Sequence, residues 1–334
     1  MRIFISGVAG FLGSHMADRM LELGNEVIGV DNLIGGSIEN VNSNVEFYQE
    51  DCIDIASMTR LTKNCDVVFH AACTAHDGFS LFSPFLITNN TYQITMSVLS
   101  AAIQNGVKRF VYCSSMSRYG NQTILPYTED MICNPVVPYG VSKYAAEQVI
   151  RQLCELNKIE YTIIVPHNII GPRQCYTDPF RNVAAIMINR FLQNKQPIIY
   201  GDGEQKRCFS FIDDVIYCLE KVITQDNVNG EIINIGPDEE FVTINHLVET
   251  IADIMHLSRD PIYVPQRPNE IKHAYCSSEK ARNLLGYSTK VSLRDGLSAM
   301  VDYISQKGCK EFQYNYPIEI NNVNTPVTWT QRMF

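Results

Sequence analysis

Residues 5–15 read ISGVAGFLGSH. Gly7, Gly10 and Gly13 stand between a short apolar run, Arg2–Ser6, and a helical pattern from Phe11 to Leu23 that Gly24 stops. Strand, glycine loop and helix in this order have a physical use. Glycine lets the backbone turn tightly and lets a pyrophosphate approach the main chain. The helix N-terminus then offers free N–H groups and a partial positive charge. The spacing is G-x-x-G-x-x-G. Alone it is a weak signal, because three glycines at a helix start can simply be packing. Its context strengthens it: an acidic residue, Asp31, closes the next apolar run EVIGVD, 18 positions past Gly13. A carboxylate there accepts hydrogen bonds from adenosine ribose hydroxyls and repels a 2′-phosphate, so NAD is expected rather than NADP.

Outward from this loop the pattern repeats. Apolar runs at 66–70, 109–114 and 161–166 alternate with helical stretches at 88–105 and 140–156. The expectation is an α/β fold, a Rossmann-type doubly wound parallel sheet with right-handed crossovers. After Gly171 the rhythm loosens. Helices are expected at 182–193, 214–224 and 243–255, with a short strand at 197–200. We read residues 1–170 as the dinucleotide-binding domain, with a later segment near 205–240 crossing back into it. Residues 171–305 form mainly a smaller mixed α/β substrate lobe. The remainder, 306–334, is a tail of unknown role that holds the only tryptophan, Trp329, and is expected to pack along the surface.

Composition bounds the rest. The chain has 334 residues, 46% of them apolar, and a net charge of -9, which gives no basic field for nucleic acid. No apolar stretch approaches the length of a membrane span, and Met1 and Arg2 lead directly into a strand-like run without a signal peptide. The 11 cysteines are scattered with no C-x-x-C pair, which suggests reduced thiols in the cytoplasm and no metal site.

The second informative stretch is YCSSMSRYG…PYGVSK, 112–143. With a helix starting at Gly140, Tyr139 and Lys143 share a face, and the ammonium lowers the phenol pKa from about 10 so that a phenolate can take a proton from a sugar hydroxyl. Ser114 and Ser115 end a strand, where a parallel sheet lines its ligand crevice; turn capping is the plainer reading and suits Ser114 better. Arginine forks suit diphosphate oxygens, which draws attention to Arg207 and Arg267, though on the residues alone both read rather as solvated loop arginines.

At this point the chain resembles the extended short-chain dehydrogenase/reductases that act on nucleotide sugars, most of all the UDP-sugar 4-epimerases. The resemblance covers roughly 1–305. It rests on GVAGFLGSH, VDNL, FHAA (69–72), NN (89–90), SSMSRYG, PYGVSK, HNIIGPRQ (167–174), GDGEQKRCFSFIDD (201–214) and RPNE (267–270). It implies Ser115 as proton-bridging hydroxyl, Tyr139 as general base, and Lys143 as the group that tunes it and holds the nicotinamide ribose. It implies NAD contacts at Gly7, Gly10, Phe11, Leu12, Gly13, Asp31, Asn32, Asp51, Cys52, Ala71, Ala72, Asn90, Ser114, Tyr139, Lys143 and Pro166. For the UDP-sugar it implies Ser115, Met116, Ser117, Tyr139, Asn168, Arg181, Asn182, Val183, Arg207, Arg267 and Glu270. A homodimer through the helices at 88–105 and 140–156 is implied too, with Val98, Leu99, Ala101 and Ala102 as seam or as core.

Met116 and Ser117 depart from the dehydratase pattern, in which an Asp-Glu pair follows the active hydroxyl. Neither a thioether nor a serine hydroxyl is a useful base at neutral pH. Transient oxidation at C4 is therefore expected over elimination, unless Glu129, Asp130 or Asp77 supplies a carboxylate. Arg118, Arg173, Arg181, His76 and His167 lie in segments that could border the sugar. Arg118 and Arg181 suit a uronate, or a pairing with surface acids.

Overall fold

The computed structural model describes residues 1–257 and 260–334. Its centre is a sheet of seven parallel strands: β1 Arg2–Ser6, β2 Glu26–Val30, β3 Glu46–Tyr48, β4 Val67–His70, β5 Arg109–Cys113, β6 Glu160–Pro166 and, after four short strands (β7 Ile169–Ile170, β8 Ile198–Tyr200, β9 Lys206–Arg207 and β10 Ser210–Phe211), β11 Ile232–Ile235. The order across the sheet is β11-β6-β5-β4-β1-β2-β3. The chain walks one way from β1 and the other way from β4. The crevice at the carboxyl ends of β1 and β4 is the switch point where such sheets take ligands.

Helices cover both faces. On one side α1 (Phe11–Glu22) packs with α7 (Ile212–Thr224), burying Met16, Met20, Val215 and Leu219. On the other lie α2 (Ile55–Leu61), α4 (Ile94–Gln104) and α5 (Pro138–Asn157), over Phe4, Val68 and Phe110, while α3 (Pro84–Thr88), just before α4 in the chain, buries Ile87 in a separate aromatic cluster. The strands are apolar on both sides, as a doubly covered parallel sheet requires. Val98, Leu99, Ala101 and Ala102 are buried within the single chain, so the core reading of this stripe is the correct one. The smaller lobe clusters α6 (Val183–Leu192), α8 (Ile244–Ile254) and α10 (Leu293–Lys307), the last following α9 (Glu279–Leu285).

Three differences from the sequence reading have local causes. Helix α5 begins at Pro138, not Gly140, because proline at the first helical position loses no needed N–H and presets φ. Tyr139 therefore sits in the first helical turn. The helical run at 84–104 starts earlier than expected and contains a wide π-turn, Asn89–Gln93. The tail lies along the surface as expected, with most of its residues exposed, but several of its aromatic side chains turn inward. Trp329 is 2% exposed and Tyr316 8%, and both pack with Phe79, Phe82 and Phe180 in a cluster that also holds Tyr139. All eleven cysteines are free, and only Cys309 is exposed. Among the described residues, no helix is long and apolar enough to cross a membrane.

Candidate active site

One cavity of about 850 Å³ runs from the glycine loop, past the ends of β4 and β5, into the smaller lobe. Every residue that the resemblance implies for NAD or UDP-sugar lines it, as do Arg173 and His76 from the segments that could border the sugar. Arg118 and His167 do not.

The cofactor half is built from main chain. Gly10 caps α1 without a side chain, leaving the first amides of the helix, those of Phe11, Leu12 and Gly13, unclaimed by a cap. A Cβ on Gly13 would stand 2.1 Å from the Gly7 carbonyl oxygen, so the helix reaches this close only because Gly13 has none. Asp31 at the end of β2 accepts from Ala9 N at 3.0 Å and Leu33 N at 2.8 Å, and Asn32 donates to Asp51 at 3.0 Å. Burial pushes the Asp31 carboxyl up, against these amide bonds. Asn90, in the π-turn, donates to Thr74 at 3.0 Å. A widened turn here presents Asn90 to the cavity, a use typical of π-turns. This loop, open helix end and carboxylate fit a dinucleotide.

The reactive half is set by β5 and α5. Ser115 follows the strand and caps the 3₁₀ turn Met116–Arg118, its Oγ accepting from Ser117 N at 3.2 Å. The capping role assigned more readily to Ser114 thus belongs to Ser115. The Ser114 hydroxyl instead donates to the Glu147 carboxylate, which also pairs with Arg118 at 2.9 Å. Arg118 and Glu147 are both essentially inaccessible, and the guanidinium lies over Tyr119. Arg118 is therefore a strut that fixes the Ser114–Ser115 corner on α5, neither a uronate clamp nor a partner of a surface acid. The sequence gives no sign of this pairing, which joins residues 29 apart across a loop.

Lys143 donates to the Cys113 carbonyl at 2.7 Å and is 1% exposed. Its Nζ lies 5.8 Å from the centre of the Tyr139 ring. Burial raises the Tyr139 pKa above its ordinary value, while Lys143 and the Ser115 hydroxyl pull it down. The direction expected for lysine is correct, but burial outweighs it in the protein alone. Gly140 completes the corner: a Cβ there would lie 2.5 Å from Ser117 O and Oγ.

The sugar end holds charged groups in opposition. The Ser117 hydroxyl donates to Asp77 Oδ1. Asp77 faces the open cavity yet is surrounded by protein; desolvation raises its pKa, opposed by that hydroxyl, Arg267 and Arg207. Arg267 pairs with Glu270 at 2.7 Å and lies over Tyr200, and Arg207 donates to Ile271 O at 2.6 Å. Arg181 lines the cavity near Asp178, whose carboxylate meets His76 Nε2 at 2.6 Å. Burial pushes the His76 imidazole down, and the Asp178 carboxylate opposes it. Arg173 is held by Asp18 at 2.6 Å.

A parallel switch-point crevice, an open helix N-terminus and a serine–tyrosine–lysine corner define a dinucleotide-dependent enzyme of the short-chain dehydrogenase/reductase class. The profile of the NAD dependent epimerase/dehydratase family matches residues 3–236, and the chain belongs to that family. Its cofactor is NAD. It is 31% identical over 317 residues to UDP-glucose 4-epimerase of Mycolicibacterium smegmatis, covering 92% of this chain and 99% of that one. The UDP-glucose 4-epimerase of Thermotoga maritima, solved with UDP-glucose, superposes with a TM-score of 0.88 at 32% identity, covering 92% of this chain and 99% of the other. The UDP-glucuronic acid 4-epimerase of Bacillus cereus, solved with UDP-glucuronic acid and NAD, gives 0.86 at 31% identity, covering 92% and 100%. Plant UDP-glucuronic acid decarboxylases from Arabidopsis thaliana are relatives as well, one of them 29% identical over 92% of this chain and 69% of its own length.

Proposed function

We propose that the protein epimerises C4 of a UDP-hexose, of the glucose/galactose type or the corresponding uronic acid, by transient oxidation to a 4-keto sugar. The observation that carries this is the corner of Ser115, Tyr139 and Lys143 beside a dinucleotide loop, on a turn whose next two residues, Met116 and Ser117, carry no carboxylate. Bound NAD supplies the acceptor and later donor of the C4 hydride and, when oxidised, a positive charge that favours the Tyr139 phenolate. Tyr139 removes the 4-hydroxyl proton, directly or through Ser115, and returns it after the sugar has turned. Lys143 stays protonated behind it, its proton pinned on Cys113 O. Arg207, Arg267 and Asn168 hold the diphosphate, and Asn182 and Val183 open α6 beside it. Arg118 is spent on Glu147, and Asp77 places a carboxyl at the sugar end, which together favour an uncharged hexose.

The same reading carries a cytoplasmic homodimer. Eleven free thiols agree with the first part. For the second, Val141 and Leu156 stand exposed on α5, at 50% and 76%.

The test is proton NMR of the purified protein, without added cofactor, against UDP-glucose, UDP-N-acetylglucosamine and UDP-glucuronate in turn. The expected result is the anomeric signal of the 4-epimer from one of them, and a loss of roughly 10² to 10⁴ in rate in Tyr139→Phe. Silence from all three sugars with NAD bound, or full turnover by the variant, would sink the reading.

A second reading is favoured by Asp77. Because it hydrogen-bonds Ser117, it brings a carboxyl with a raised pKa to the turn where dehydratases carry an acid of their own. That is the chemistry of elimination, 4,6-dehydration in place of epimerisation.

A further inference from the structure

Epimerisation as proposed above leaves one cavity carboxylate without a part in the chemistry, that of Asp77. The residue is exposed and lines the cavity. Its Oδ1 accepts from the Ser117 hydroxyl, and among the described residues no donor reaches Oδ2. That oxygen is an acceptor open to a ligand.

The neighbours of Asp77 place it along the substrate. Ser117 belongs to the turn that Ser115 caps, and a Cβ on Gly140, next to Tyr139, would lie 2.5 Å from Ser117. A Cβ on the adjacent Gly78 would lie 3.8 Å from Arg267 Nη1. Burial raises the Asp77 pKa, and Arg267 and Arg207 oppose that from nearby. Asp77 thus stands between the corner that handles C4 and the arginines that hold the diphosphate on C1. A hexose ring joining those two points runs alongside it.

Such a ring has two edges between C1 and C4. One carries the substituents of C2 and C3, the other the ring oxygen and C6. Hydride leaves C4 from one face and returns to the other, so the ketone must turn over between the two steps. Turning over exchanges the edges. C6 therefore faces Asp77 in one of the two orientations, whichever comes first. A hydroxymethyl group there donates to Oδ2. A carboxylate there meets like charge in a partly desolvated place, where repulsion is far stronger than in water. A fixed cation such as Arg181, which also lines the cavity, meets C6 in at most one orientation and cannot serve both.

We infer that Asp77 is a specificity residue, which accepts a hydrogen bond from each edge of the ring in turn and confines turnover to a UDP-hexose with a hydroxymethyl C6, against the uronic acids. Selection by repulsion is as effective as selection by attraction. The inference rests on the 4-epimerase reading above and narrows its substrate.

The test measures kcat/KM for UDP-glucose, UDP-N-acetylglucosamine and UDP-glucuronate by proton NMR on the NAD-containing protein, in wild type and in Asp77→Asn. Wild type should favour one of the two neutral sugars over UDP-glucuronate by roughly tenfold or more. The variant keeps the size of the side chain and removes its charge. It should raise KM for that neutral sugar roughly three- to tenfold. It should also move the ratio of uronate to neutral sugar about tenfold or more towards the uronate. A general loosening of the site would lower both sugars together and leave the ratio where it was. Wild-type turnover of UDP-glucuronate as fast as that of the neutral sugars, or an unmoved ratio in Asp77→Asn, would overturn the inference. The first of these needs no variant and so stands even where Asp77→Asn does not fold. If wild type epimerises none of the three sugars, the 4-epimerase reading falls and the role of Asp77 with it. If it epimerises a neutral sugar and the ratio does not move, only the role of Asp77 falls.

Discussion

At the scale of single residues, Asp77 decides between the two chemistries. It lies 40 positions before Ser117 and was legible only as one of three candidate acids; the structure, not the spacing, brings it to the turn. Asp77→Asn keeps size and one hydrogen-bond acceptor but cannot cycle a proton. If the protein epimerises, the variant should keep turnover within about tenfold and still form the 4-epimer. If it eliminates water, the loss should be on the order of 10² to 10⁴, as for any essential acid or base. NMR of the product mixture separates the outcomes, since a 4-keto-6-deoxy sugar has a methyl signal that no epimer shows. Arg118 teaches the complementary lesson. Its charge looked available because sequence does not show that Glu147 is buried beside it.

At the scale of elements, the site depends on how tightly the Met116–Arg118 turn sits on α5. Gly140 permits the contact, and in Gly140→Ala the new Cβ would meet Ser117 backbone at 2.5 Å. Helix and turn must separate, and with them Tyr139 and Ser115. A displacement near 1 Å can cost about 10²-fold in rate. The expected result is a kcat roughly 10- to 100-fold lower, with NAD still bound to the purified protein, since Gly140 is remote from the α1 cradle. Unchanged kcat would show that the corner tolerates slack. The elements themselves were largely legible. Strands β1, β2, β4, β5 and β6 announce themselves as apolar runs closed by turn residues, and α1 by its glycines. Within the first 170 residues, strand β3 and helix α2 did not, and beyond them the reading also lacked β11, α9 and α10. Glu46–Tyr48 is three residues with only an edge to pair, and Ile55–Leu61 is seven residues whose clearest signal is the Asp54 cap. Elements this short carry too little period to read.

At the scale of the whole molecule, three histidines are buried, and burial disfavours the charged form of each. Burial pushes His70 down to about 3 and His167 to about 4, and lowers His76 against the pull of Asp178. In the unfolded chain each takes a proton near pH 6.5. Between that pH and their folded values the unfolded state binds more protons, so stability is complete above about 6.5 and falls as the pH drops below it. The melting temperature should decline steadily from pH 6.5 towards 4, and a flat profile there would contradict the burial of these rings. The long-range architecture was legible as a doubly wound sheet with a second lobe. The tail was not, because its contacts are with residues 79–86, 177 and 200, far away in sequence, and its own stretch has no period. A lone tryptophan among Phe312, Tyr314, Tyr316 and Phe334 was the one available hint.

The C-terminal segment has a kinetic consequence. Tyr316 Oη reaches the Ile34 carbonyl on the loop after Asp31, Thr328 meets Tyr200, and Asn315 and Tyr316 line the cavity. On the proposed function, a 4-keto sugar in that cavity has two fates, reduction in place or escape. The more firmly this segment is held, the more the balance should favour reduction, and the less often a reactive ketone should leak away and strand the cofactor in its reduced state.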